Sequence, residues 1–254
     1  MKNKYVSFIS DKHLLHCIGN LYKAYFRAKN NITKKNFYTN KIDTIKLTFD
    51  SKFNEINEAG IIEAELLRQI DKSINNAIGT FHEQILGGIE GFEVGNLSGF
   101  DIKSTNDTMF ADIKNKHNTM NSSSAEALFQ KLARYADNYK KAKCYWVQIL
   151  AKNSFNENWT GEINGKEYSH SRVYKISGDQ FYALLSGQTN ALYNLYKTLP
   201  LAINDYIISH GKNLPVKSNS AVNEIKAESK YSKRSILDQI SFENYSYYLG
   251  FDKL

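Results

Sequence analysis

The chain has 254 residues with two cysteines and a formal charge of +7, enough for one large domain or two small ones. No apolar run reaches membrane-spanning length, and Lys2, Lys4, Asp11 and His13 break up any signal-peptide pattern at the start. Cys17 and Cys144 lie far apart in the sequence, which argues against a disulfide framework or a thiolate metal site and for two reduced core residues in a cytoplasmic protein. The positive charge permits a polyanionic partner. Lys, Asn, Ile and Tyr abound while Arg and Pro are scarce, a bias that AT-rich coding alone produces, so charge lends nucleic-acid binding only weak support.

In chain order, residues 11–29 carry Leu14, Leu15, Ile18, Leu21, Tyr22, Tyr25 and Phe26 at helical spacing, with Ser10 or Asp11 as the cap. His13 and His16 in this helix have no third metal ligand near them and read as ordinary helix histidines. Residues 30–42 are polar and read as a loop; 43–57 fit a short helix or a strand. From 58 to 86 Ile62, Leu66, Ile70, Ile74, Ile78, Phe81 and Ile85 keep a helical period, ended by Gly87 and Gly88. His82 and Glu83 do not form a metalloprotease motif, because residue 86 is Leu. Glu83 has two open readings: a ligand reaching a metal at the next hairpin, or a solvent-facing helix residue. A strand is expected over Ile89–Gly95.

The stretch Gly99–Lys116, GFDIKSTNDTMFADIKNK, reads as strand, turn and strand. Asp101 is expected in the first strand. Asp112 and Lys114, spaced i and i+2 in the second, point to the same side. Two carboxylates on one face repel unless a cation compensates. A divalent metal would supply it, and Mg²⁺ is usually held by one or two carboxylates plus waters and phosphate oxygens. Lysine is a natural point charge beside an attacking water or a phosphate. The spacing D-x(n)-(D/E)-x-K alone is equally the pattern of a solvated hairpin face. A helix is expected over about 124–141 with Ser122–Ser124 at its start, either a cap or a phosphate seat. Residues 143–151, KCYWVQILA, fit a buried central strand; 155–171 contain an Asn-Gly hairpin signal; 172–177 fit another strand. Gly178 and Asp179 open a helix, and a second spans about 189–209 with Pro200 expected to kink or split it. Residues 211–234 are polar and basic, either a DNA-contacting arm or a surface segment, and the last twenty residues regain apolar character.

This order of elements, α/β with a hairpin carrying D…DxK, is that of the PD-(D/E)xK nuclease superfamily. The blocks NNAIGTFHEQILGGIEGF, FADIKNKHNTMNSSS and KISGDQFYALLSGQTNALYNLY resemble those of type II restriction endonucleases of the SinI kind, which cut GGNCC or GGWCC sites. The resemblance covers roughly residues 60–200. It implies a restriction-endonuclease-like core, a mixed central β-sheet flanked by helices with extra helices at both ends. It also implies one domain over 1–254: an N-terminal helical part to about 57, a catalytic core over about 58–210 and a basic C-terminal segment over about 211–254. Asp101 matches the first acidic position, Asp112 the second and Lys114 the lysine. Phe100 stands where the superfamily name has Pro, and Asp112 where many members have Glu, which shortens the carboxylate's reach.

The implied activity is Mg²⁺-dependent double-strand cleavage of DNA at a short palindrome, leaving a 5′-phosphate. Asp101 and Asp112 would hold the metal, with Glu83 as a further ligand. Asn115, Lys116, His117 and Asn118 would face DNA at the strand end. With only five arginines in the chain, Arg172 and Arg234 are the candidate base readers, with Lys166 and His170 as further DNA contacts. A palindrome implies a homodimer, and an intact host chromosome implies a DNA methyltransferase of matching specificity. Three alternatives stay open on the residues alone. A repair or branched-DNA nuclease of the same fold would nick by structure; a non-catalytic DNA-binding module would bind without cutting; a structural protein would not bind DNA.

Overall fold

A computed structural model describes residues 3–30, 33–95, 99–117, 120–210, 220–246 and 254. Two compact units emerge, one of Met1–Leu21 with Ala77–Lys212, the other of Tyr22–Asn76 with Asn213–Leu254. Among the described residues no helix is long and apolar enough to cross a membrane.

The first unit is an α/β sandwich. Its sheet has the order β1 (Phe92–Val94), β2 (Ile102–Ser104), β3 (Met109–Lys116), β4 (Lys143–Leu150), β8 (Val173–Ser177), β5 (Asn156–Asn158). The strands β1, β2 and β3 are antiparallel neighbours, β3, β4 and β8 run parallel, and β5 returns antiparallel on β8. A parallel step needs a crossover, and α5 (Ser122–Asn138) supplies it between β3 and β4. Asn121 caps α5 by accepting from Ser124 N at 2.8 Å. The apolar stripe of α5, Leu128, Phe129 and Leu132, packs on Phe110, Cys144 and Val173 of one sheet face. On the other face Tyr145 meets Phe181 of α6 (Gly178–Ser186), ring centroids 6.0 Å apart. Gly178 brings α6 hard against β4: a Cβ there would lie 2.6 Å from the Ile149 carbonyl oxygen. The expected Asn-Gly turn joins β6 (Gly161–Ile163) to β7 (Lys166–Tyr168), with Asn164 and Gly165 at φ 54° and 77°, as a type I′ turn requires. Cys17 and Cys144 are free and buried, and burial pushes their thiols up to about 11 and about 12.

The second unit is helical. Phe37, Ile42, Leu47, Ile61, Ile62 and Leu66 share a core with Ala221, Val222, Ile225, Ile236 and Ile240. Apart from Ile42, in the link between the first two, these come from α2 (Lys34–Thr39), α3 (Thr44–Phe53), the start of α4 (Glu58–Gly87), α8 (Ser220–Ser232) and α9 (Ile236–Tyr245). The mixed sheet flanked by helices, with further helices at both ends of the chain, is the architecture the sequence implied.

Four local expectations are corrected. The polar stretch 30–42 is not all loop, because Thr33 caps α2 by accepting from Asn36 N and Phe37 anchors it in the core. The strand expected over Ile89–Gly95 shortens to Phe92–Val94. Pro200 does not split its helix, since α7 runs unbroken from Ala191 to His210. The basic stretch to residue 234 contains α8, whose Ala221, Val222 and Ile225 are buried. Tyr247, Tyr248 and Leu249 of the apolar tail lie outside the described residues.

Candidate active site

The hairpin and α5 build the charged site. Asp101 sits one residue ahead of β2 rather than within it, yet its backbone stays tied to the ladder: its N–H donates to Ala111 O at 3.0 Å and its carbonyl accepts from Gly95 N at 3.0 Å. Ile102 pairs with Ala111, and the Asp101 bond to the same Ala111 carbonyl is one residue out of that register, so the ladder is irregular just where Asp101 enters. The Asp101 carboxylate accepts from Ile113 N at 2.6 Å. Asp112 is 8% exposed in the middle of β3, and its Oδ1 accepts from Lys114 Nζ at 2.5 Å. Strand alternation points both to the α5 face.

From α5 comes a group that the sequence reading passed over. Lys131 Nζ donates to Asp112 Oδ2 at 3.3 Å and to the Gly99 carbonyl, and lies 4.1 Å from the centroid of the Phe100 ring. One buried carboxylate thus faces two ammonium groups. The signal was its place on the polar flank of an amphipathic helix packed over the hairpin, which becomes legible only once the helix is docked.

Glu83 is half-buried on α4 and belongs to the same electrostatic cluster. Its pKa is raised, first by burial and then by the charges of Asp101 and Asp112, with Lys114 opposing. Asp101 is raised too: burial dominates, the hydrogen bond from Ile113 opposes it, Asp112 adds to it and both lysines offset part. His82 next along α4 points elsewhere. It bonds the Tyr182 hydroxyl through Nδ1 at 2.9 Å, and burial pushes it down to about 4.

Among the described residues no three His, Cys, Asp or Glu side chains gather closely enough to hold a metal alone. The donor set instead suits an ion that keeps several waters and takes substrate oxygens, bound through one or two carboxylates. Burial, and then neighbouring carboxylates, raise the pKa values of Asp101 and Glu83, so a cation bound there would favour their ionised forms.

The remaining expected site residues scatter. Asn115 and Lys116 continue β3 to its end, where His117 N donates to Leu150 O at 3.2 Å; Asn118 lies outside the described residues. Arg172 precedes β8 at the opposite end of the parallel strands. It donates to Lys140 O and Tyr139 O and lies 3.6 Å from Asp137. His170 Nδ1 accepts from Arg172 N at 3.1 Å, which leaves the proton on Nε2 to meet Asp137 at 3.1 Å. Lys166, 70% exposed on the β6–β7 hairpin, lies 3.6 Å from Glu126. Arg234 belongs to the helical unit, stacked 3.7 Å over Phe242 and bonded to Leu254 O at 2.9 Å and Gln239 at 3.3 Å.

A restriction-endonuclease-like α/β core with two acidic side chains and two lysines gathered at the hairpin and α5 defines the class. The model of the Eco47II restriction endonuclease family matches residues 6–208. The type II restriction enzyme Sau96I of Staphylococcus aureus is 39% identical over 265 aligned positions, covering 99% of this chain and 100% of that enzyme. The type II restriction enzyme Eco47II of Escherichia coli is 29% identical over 215, covering 80% of this chain and 88% of that enzyme. The chain belongs to the Eco47II restriction endonuclease family and is a type II site-specific deoxyribonuclease.

Proposed function

We propose that this enzyme cuts both strands of DNA at a GGNCC-type site with Mg²⁺, using Asp101, Asp112 and Lys114, with Glu83 as a further carboxylate. The observation that carries this reading is the pairing of Asp112 with Lys114 at 2.5 Å beside an Asp101 whose pKa is raised. A solvated hairpin face would leave these groups exposed and independent. The site class rests on the resemblance of the three sequence blocks.

Asp101 and Asp112 supply the carboxylates for the metal. When bound, Mg²⁺ would lower the pKa of a water and polarise the phosphate. The Lys114 ammonium, oriented by Asp112, lies where it can hold the attacking water and meet the charge growing on the phosphorane. Lys131 keeps the second oxygen of Asp112 and the Gly99 carbonyl in place. The water oxygen bonds phosphorus in line, the bond to the 3′-oxygen breaks, that oxygen leaves with a proton, and the 5′-phosphate remains. Asn115, Lys116, His117 and Asn118 form the near DNA contact in this reading, with Lys166, His170, Arg172 and Arg234 as outlying ones. Reading a palindrome calls for a homodimer, and the same cell, whose cytoplasm holds the substrate, carries a methyltransferase for the same site.

The test is digestion of a plasmid of known sequence with Mg²⁺ and with EDTA. Discrete bands with 5′-phosphate ends at GGNCC-type sites, lost in EDTA, are expected. A smear, or nicking that follows DNA structure, would favour a repair nuclease.

A further inference from the structure

β4 carries one amide in an otherwise apolar interior, and nothing in the reaction above uses it. Gln148 pairs with Lys114 in the parallel register of β3 and β4. Its side chain therefore leaves the sheet on the face that carries Asp112 and Lys114. It is 7% exposed, and its amide is not among the fully buried side-chain atoms left without a partner, so the tip of the side chain meets solvent. The Lys114 ammonium goes to Asp112, not to Gln148. Ser177, the next residue along the same row, is fully engaged with Phe155 and Asp179. Lys114 itself is 34% exposed, so the row opens to solvent beside Gln148.

An amide whose tip reaches solvent beside Lys114 offers two donors and an acceptor that a ligand can take over from water. The amide is thus suited to a partner that arrives from outside. Resting on the nuclease reading, we propose that Gln148 contacts the substrate: its Nε2–H donates to a nonbridging oxygen of the scissile phosphodiester, next to Lys114. A neutral donor there strengthens its hydrogen bond as that oxygen gains charge in the phosphorane, and adds no charge to a site already holding two lysines and two aspartates.

Two variants test this, Gln148→Met and Gln148→Glu, measured for Tm, DNA binding without divalent metal, and single-turnover cutting with Mg²⁺. For Gln148→Met we expect a Tm no lower than the parent's, binding within about threefold, and a cutting rate down by about 10²-fold, as for loss of one transition-state donor. Gln148→Glu matches the shape but turns a carboxylate toward the phosphate, and is expected to cut more slowly still. Cutting by Gln148→Met within about twofold of the parent, or a rate loss that merely tracks a lower Tm, would overturn the assignment. Should the Met variant fold poorly, parent-level cutting by Gln148→Glu would overturn it alone. The parent and Lys114→Ala run alongside: a parent that cuts no DNA, or a Lys114→Ala that does, would sink the nuclease reading and this inference with it.

Discussion

The two ends of the parallel strands hold polar clusters of opposite character. At the β8 entry, Arg172, His170, Asp137 and the Tyr139 and Lys140 carbonyls just past α5 bond one another. Farther along β3 and β4 the charges are crowded and incompletely matched. Asp101 and Glu83 are raised in pKa, two lysines share one aspartate, and the Gln148 amide lies in the same row as Lys114. A satisfied cluster rigidifies a fold; an unsatisfied one stores interactions for a ligand. The same side-chain types thus do structural work at one end and, in the proposed function, chemistry at the other.

The largest effect should come from breaking the unsatisfied end. Asp112→Ala and Lys114→Ala are each expected to lower cutting by about 10³-fold or more. They should differ in binding. Asp112→Ala removes a negative charge facing DNA and leaves Lys114 and Lys131 free for phosphate, so its affinity should equal or exceed the parent's. Lys114→Ala should bind more weakly. Filter binding without metal, beside plasmid digestion, checks both, and retained cutting in either variant would move the active site elsewhere.

A comparison of the two ends sharpens the contrast at intermediate size. Arg172→Ala removes the bonds to the Tyr139 and Lys140 carbonyls that follow α5 and should lower Tm by a few degrees, the scale of about 1 kcal/mol in a chain of this length, while cutting by the folded enzyme changes little. Lys131→Ala should slow cutting by about tenfold, with Lys131→Arg recovering part of it, because the lost contact orients Asp112. An Arg172→Ala protein that keeps its Tm but loses DNA affinity would make the β8 end part of the DNA interface, as the scarcity of arginine first suggested.

What the sequence revealed divides along a physical line. Long periodic elements such as α1 (Asp11–Asn30) and α4, the apolar run of β4 and the Asn-Gly turn were legible because their signals are local. The six-residue α2 was not, since one buried Phe37 is too little periodicity to see. The α8 helix was masked by Lys226 and Lys230 on its surface, while its apolar residues find their core through partners far away in sequence. In the site, Asp112 and Lys114 declared themselves by spacing within one strand. Glu83, Lys131 and Gln148 come from three other elements, and only the docking of α4, α5 and β4 brings them to it.

The smallest effect tests whether the crowded carboxylates await a cation. A carboxyl whose folded pKa lies above its unfolded value binds more protons in the folded state. Stability therefore falls as pH rises through that window and then levels off. For Asp101 and Glu83, raised by burial first and by neighbouring carboxylates after it, the ionised folded state carries the penalty at neutral pH and loses it in acid. Asp101→Asn keeps an oxygen for Ile113 N, and Glu83→Gln keeps its shape. Both should melt no lower than the parent near neutral pH, and their advantage should shrink toward about pH 4. Mg²⁺ should raise the Tm of the parent most at the higher pH, where it displaces no protons, and should raise that of the doubly substituted protein less. Thermal unfolding across pH, with and without Mg²⁺, reads all of this without any DNA. Were the variants less stable than the parent at neutral pH, these carboxylates would be structural, like the Asp137 cluster at the other end of the sheet.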